Sequence, residues 1–194
     1  MIVGLTGGIG SGKTTVAKVF ETMGCVIYNS DERAKALYFN VEIKKQIVAL
    51  LGAEAYINEA TLNKNYISQA IFTNKDILKQ LNGIIHPAVK ADFELVVNKS
   101  NRQTIIIKET ALLFEEQINK QVNFSVLVTA PLEIKIQRAM LRNNTTKDEV
   151  LKRISNQWTD EQKQPLAQFV IANDGTNAII PQIEACVKKI KQLM

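Results

Sequence analysis

Eight residues near the start of the chain, Gly7 to Thr14 in "GGIGSGKT", match the spacing G-x-x-x-x-G-K-[ST]. Each residue type answers a need of phosphate binding. Glycines let the backbone turn and approach an anion where a Cβ would block it. Successive N–H groups then point inward as an anion nest, and a helix starting near Lys13 aims its positive end at the same anion. Lys13 can reach β- and γ-phosphates, and the Thr14 hydroxyl can ligate Mg²⁺. The apolar run Ile2–Leu5 precedes the loop and a helical pattern follows it, which is the context this motif requires.

Two acids and a group of arginines could complete a transfer site. Asp31 follows the second apolar segment in "VIYNSDERAK". It could accept the proton of an attacking hydroxyl, or simply cap the helix behind it. Glu109 ends the run "TIIIKET", where an acid could hold Mg²⁺ through water or lie on the surface. Arg138 and Arg142 are four apart and share a helix face. With Arg153 beyond the "NNTT" break they suit a lid that closes on the phosphoryl group and excludes water, or a solvated cationic face. His86, the single histidine, stands before Pro87, which is read as opening a helix. It could contact substrate or cap that helix.

These residues need a scaffold. Five apolar segments read as strands buried on both faces of a parallel sheet: 2–5, 25–28, 104–107, 125–129 and 169–172. Helices are expected over 13–23, 132–142, from Thr146, and from Pro181 to the C-terminus. The stretch between strands two and three reads as helices 31–38, 41–51, 61–72, 76–81 and 87–99. A simple crossover needs one helix. The expected architecture is therefore a doubly wound α/β fold with a five-stranded parallel sheet. Residues 1–30 and 101–194 form its nucleotide-binding core, 31–100 an inserted helical acceptor-binding subdomain, and 133–160 a helical lid.

Composition sets the outer bounds. The chain has 194 residues and a net charge of +5, spread without a long basic run. That suits a small polyanionic ligand, and no nucleic-acid-binding signature accompanies it. No apolar run is long enough to cross a bilayer, and a strand starting beside Met1 leaves no room for a signal peptide. Cys25 and Cys186 have no metal-ligand or C-x-x-C spacing, so a cytoplasmic protein with two reduced, buried thiols is expected. No obligate protein partner is indicated. A guanine-reading N-K-x-D segment is missing, and motor ATPases need longer chains. Three readings stay open at this level: a kinase of one small molecule, a kinase of another, or an ATP sensor.

Taken together the motifs resemble the dephospho-coenzyme A kinases. The segments are "IVGLTGGIGSGKTTVAKVF", "SDERAKAL", "LNGIIHPAV", "ALLFEEQI", "RAMLRNNTTKDEVLKRISNQ" and "FVIANDGT". The resemblance implies transfer of the γ-phosphoryl of ATP to the ribose 3′-hydroxyl of dephospho-coenzyme A, the last step of coenzyme A synthesis. It implies that Gly8, Ile9, Gly10, Ser11, Gly12, Lys13, Thr14 and Thr15 cradle the donor, with Mg²⁺ on Thr14 and Glu109. Asp31 matches the general base and Arg142 the lid arginine, with Arg138 beside it. His86 and the segment Leu112, Leu113 to Glu115 match positions on the acceptor side. Four positions depart from the family's usual residues: Asn29 where an acid is common, Glu59 for arginine, Ala111 for proline and Gln168 for aspartate.

Overall fold

A computed structural model describes all 194 residues. In chain order its elements are β1 (Ile2–Thr6), α1 (Lys13–Thr22), β2 (Val26–Asn29), α2 (Ser30–Leu37) and α3 (Val41–Leu51). A short hairpin, β3 (Tyr56–Asn58) and β4 (Thr61–Leu62), leads to α4 (Lys64–Thr73) and α5 (Lys75–Lys99). Then come β5 (Ile106–Glu109), β6 (Phe124–Thr129), α6 (Leu132–Asn143), α7 (Lys147–Ile154), α8 (Asp160–Lys163), β7 (Phe169–Ala172) and α9 (Ile179–Lys191). The chain divides into two compact units, one of Met1–Asn29 with Asn101–Met194 and one of Ser30–Ser100.

The first unit is built on a five-stranded sheet of order β2-β5-β1-β6-β7 with every pair parallel. Val3, Leu5, Ile107, Val126, Val128 and Ile171 are fully buried, as expected for strands covered on both faces. Val16, Ala17 and Phe20 of α1 and Ile183, Cys186 and Ile190 of α9 fill the same core. Both cysteines are free and buried there. Burial raises both thiols, and pushes Cys186 up to about 12. β5 reaches two residues beyond the apolar run, so Glu109 pairs with Leu5 on one side and Asn29 on the other. The strand ladder itself therefore delivers these residues to the carboxyl ends, where ligands bind in such sheets.

The second unit has its own core of Ile47, Leu51, Ala55, Ile67, Leu81 and Ile85. Asn40, Asn63 and Asn74 cap its helices by accepting N–H bonds two or three residues ahead. Two expectations change here. Pro87 does not open a helix and His86 does not cap one, because both lie inside the 25-residue α5. The stripe Leu81, Ile85, Val89 and Phe93 runs unbroken on one helix face. Its burial outweighs the roughly 3 kcal/mol cost of an interior proline. Gly83, four residues earlier, has open space where a Cβ would stand, so the carbonyl that Pro87 leaves unbonded is on the least crowded residue. The helix expected over 61–72 begins only after Asn63, since 61–62 pairs with 56–58 through a turn in which Asn58 accepts the Ala60 N–H. No helix of the chain is long and apolar enough to cross a membrane.

Candidate active site

The loop Gly7–Gly12 joins β1 to α1, and its shape depends on glycine at two close approaches. Gly10 has φ +79°, and a Cβ there would stand 2.1 Å from the Lys135 carbonyl oxygen. Gly12 has φ +93°, and its Cβ would meet the Asn173 amide nitrogen at 2.0 Å. Asn173 in turn donates to the Ser11 carbonyl at 2.8 Å. The loop is thus walled by α6 on one side and by the turn after β7 on the other. Within it the Ser11 N–H donates to the Gly8 carbonyl at 3.1 Å. Lys13 Nζ folds back to donate to the carbonyls of Gly7 at 2.7 Å and Gly8 at 3.3 Å. α1 starts at Lys13 with no side-chain cap on its leading N–H groups, the donors a helix offers an anion.

Thr14 and Glu109, both read from sequence as metal ligands, meet directly. The Thr14 hydroxyl donates to Glu109 Oε1 at 3.0 Å, and Asn29 Nδ2 donates to Oε2 at 3.1 Å. Glu109 is only 4% exposed. Asn29, at the end of β2, is the donor that orients this carboxylate. The Gln168 side-chain oxygen accepts the Ser125 N–H at 2.9 Å, linking β6 to the start of β7.

The arginines separate. Arg138 reaches the loop, donating to the Asn173 carbonyl at 2.9 Å, 3.9 Å from the Cβ position of Gly12. Arg142 is one turn further, exposed, in the last turn of α6, with its Nε at 3.3 Å from Asn143 Oδ1. The helices α6 and α7 pack through Ile136, Ala139 and Val150, and Ile9 of the loop joins that cluster. Thr146 caps α7 as its spacing to Glu149 suggests.

In the turn after β5, Leu113 is fully buried and lies against Gly4, so it is a core residue. Glu115 Oε1 accepts from Lys163 Nζ at 2.9 Å and from the Trp158 N–H at 3.0 Å. In the second unit, Asp31 and His86 are exposed, Asp31 in the first turn of α2 and His86 in mid α5. Arg33 and Asp92 join α2 to α5 by a two-pronged ion pair.

Sequence reasoning passed over four residues around the loop: Lys135, Gln157, Asp160 and Lys163. Lys135 Nζ pairs with Asp160 Oδ2 at 2.6 Å, beside Gly8. A signal existed, because Lys135 lies on the same helix face as Ile136 and Ala139, the buried face of α6. The box Thr159–Gln162 likewise marks the start of α8.

A parallel sheet with a lysine-bearing glycine loop between its first strand and helix defines a phosphate-loop kinase fold. Comparison with known proteins narrows this. The family model described as dephospho-CoA kinase matches residues 1–178. The dephospho-CoA kinase of Bacteroides fragilis is 39% identical over 182 residues, 93% of this chain and 88% of that protein. That of Chlorobium chlorochromatii is 36% identical and covers 100% of this chain and 92% of its own. Among solved structures, a Thermus thermophilus protein superposes with a TM-score of 0.85 at 27% identity, covering 100% and 97% of the two chains. The Campylobacter jejuni dephospho-CoA kinase shares the fold, with a TM-score of 0.65 at 22% identity over 99% and 96%. The chain belongs to the dephospho-CoA kinase family.

Proposed function

We propose that this protein phosphorylates the ribose 3′-hydroxyl of dephospho-coenzyme A with ATP, yielding coenzyme A and ADP. Family membership supports the acceptor. The observation that carries the chemistry is the Thr14–Glu109 bond at the end of β5, next to a glycine loop whose carbonyls hold the Lys13 ammonium.

In this reading the loop from Gly8 to Thr15 holds the β- and γ-phosphates, with Lys13 exchanging its loop carbonyls for phosphate oxygens. Asp31 accepts the hydroxyl proton as the 3′-oxygen bonds to the γ-phosphorus and the bond to the β–γ bridging oxygen breaks. Arg138 holds the loop's flank, and Arg142 meets the transferring group when the lid closes. His86 and Leu112 belong to the acceptor side, and Leu113 and Glu115 act there only by anchoring their segment, Leu113 in the core and Glu115 through Lys163.

The donor set suits Mg²⁺. The chain gathers no group of three or more His, Cys, Asp or Glu side chains for a metal. A threonine hydroxyl and one carboxylate are hard oxygen ligands for a cation that brings water and phosphate oxygens as its others. Bound there, Mg²⁺ would neutralise charge on the β- and γ-phosphates. A cytoplasmic setting suits the two free, buried thiols.

The test is ADP release from Mg-ATP by purified protein with and without dephospho-coenzyme A, with product mass. Acceptor-dependent ADP and a mass gain of one phosphate sustain the reading. Tight ATP binding with no stimulation by the acceptor defeats it.

A further inference from the structure

Two side chains, Lys135 and Glu115, two backbone N–H groups, those of Ile9 and Ala130, and the Ala111 carbonyl converge on a single short segment, Gln157–Lys163. Gln157 Oε1 accepts the Ile9 N–H at 3.0 Å. Two residues on, Thr159 caps α8, and Asp160 then pairs with Lys135, which lies against Gly8 and whose own backbone closes on Gly10. The Ala130 N–H also donates to Asp160 Oδ2, at 3.4 Å. At the far end Lys163, with no exposed surface, donates to the Ala111 carbonyl at 2.9 Å and pairs with Glu115. Glu115 takes the Trp158 N–H as well.

None of this is needed to fill the core. Buried ion pairs contribute little net stability compared with apolar groups of the same volume. Both carboxylates also leave one oxygen, Glu115 Oε2 and Asp160 Oδ1, buried without a protein partner, which a purely stabilising pair would avoid. What the pairs accomplish is placement. Ile9 is fixed at its N–H by Gln157 and at its side chain by the α6–α7 cluster. The outer half of the loop, Gly8 to Gly10, is thereby set from behind, and its Ile9 N–H is turned to Gln157.

We propose that Gln157–Lys163 is a positioning strap. It fixes Gly8–Gly10 and ties them to the turn after β5, so that Gln157, Asp160 and Lys163 govern donor binding without touching the donor. The proposal rests on the phosphate-donor reading given above.

The test uses the full chain carrying Gln157→Leu or Asp160→Asn, and reads amide exchange over residues 7–12, Mg-ATP affinity and acceptor KM. Loss of one such hydrogen bond should speed loop exchange and weaken Mg-ATP binding, each about tenfold, with acceptor KM held within about twofold. Exchange in β1 and β6 stays at the wild-type rate. Lys135→Arg, which keeps the ion pair, retains wild-type values, whereas Lys135→Met behaves like Asp160→Asn. Wild-type loop exchange and ATP affinity in both variants would overturn the strap, as would loosening that spreads equally through β1 and β6. If Gln157→Leu fails to fold, the contrast between Lys135→Arg and Lys135→Met decides on the same readouts. A wild-type protein that binds ATP but ignores dephospho-coenzyme A would defeat the kinase reading alone, because loop exchange and ATP affinity still test the strap.

Discussion

The phosphate loop and the helical unit Ser30–Ser100 are held by different means. Around the loop the fixing bonds are polar and join residues far apart in sequence: Ser11 to Asn173, Ile9 to Gln157, Thr14 to Glu109. In the helical unit local caps reaching two or three residues stand beside a few longer polar links such as Arg33–Asp92 and Tyr56–Tyr38, and the element packing is apolar, through Ile47, Leu51, Leu81 and Ile85. The first arrangement sets backbone N–H groups to within a hydrogen bond's tolerance, which an anion nest requires. The second fixes where helices lie and leaves polar residues such as Asp31 and His86 exposed on them. The contrast is between a loop whose backbone groups are fixed one by one and a unit whose helices are fixed by their packed faces.

The largest effect should come from the helical unit's one proposed chemical group. Asp31→Asn is expected to lower kcat by on the order of 10²–10⁴-fold with ATP affinity retained. An unchanged rate and pH profile would leave Asp31 as a first-turn helix residue only. On the cradle side, Lys13→Ala should cost about 10²–10³-fold in kcat/KM for ATP. Its melting temperature should stay near wild type, since the Lys13 ammonium donates to the loop carbonyls of Gly7 and Gly8 and fills no part of the apolar core. A wild-type rate would remove the lysine from the mechanism. Arg142→Ala should be smaller, about tenfold in kcat with little change in ATP affinity, because the residue is exposed and, on the proposed reading, meets the phosphates on closure. An effect confined to affinity would instead make it a ground-state contact.

The smallest expected effect concerns the core beneath the cradle. Burial raises the Cys186 thiol to about 12 and raises Cys25 in the same direction. A pKa raised on folding gives stability that is present below the unfolded value near 9 and lost as pH climbs toward 12. Native protein should therefore resist iodoacetamide at mildly alkaline pH and lose stability above it, whereas urea-unfolded protein is alkylated on both thiols. Rapid alkylation of the native form would show that α9 opens readily from the sheet.

Much of the cradle was legible because its parts are local. The loop motif, the strand before it and the helix after it occupy one stretch, and buried parallel strands announce themselves as Val- and Ile-rich runs. Thr14 and Glu109 were each readable, although nothing local shows that the start of α1 and the end of β5 bring them into contact. The strap was illegible, since nothing in the string links Lys135 with Asp160 or Glu115 with Lys163. In the helical unit the error was one of segmentation. Pro87 carries a strong local stop signal, and the stripe from Leu81 to Phe93 overrides it only because a partner surface is there to bury it. The hairpin of β3 and β4 is too short to show alternation.

The strand order has a consequence for synthesis on the ribosome. β1 lies between β5 and β6, with Ile2 opposite Ile106 and Val3 opposite Phe124. When the first hundred residues have emerged, β1 still lacks both its neighbours, β5 and β6, and the edge strand β2 lacks its one neighbour, β5. The helical unit is one uninterrupted stretch and by then has every residue of its core. Vectorial emergence thus favours a completed helical unit waiting beside two unpaired, strongly apolar strands, and this interval is when the nascent chain is most exposed to aggregation.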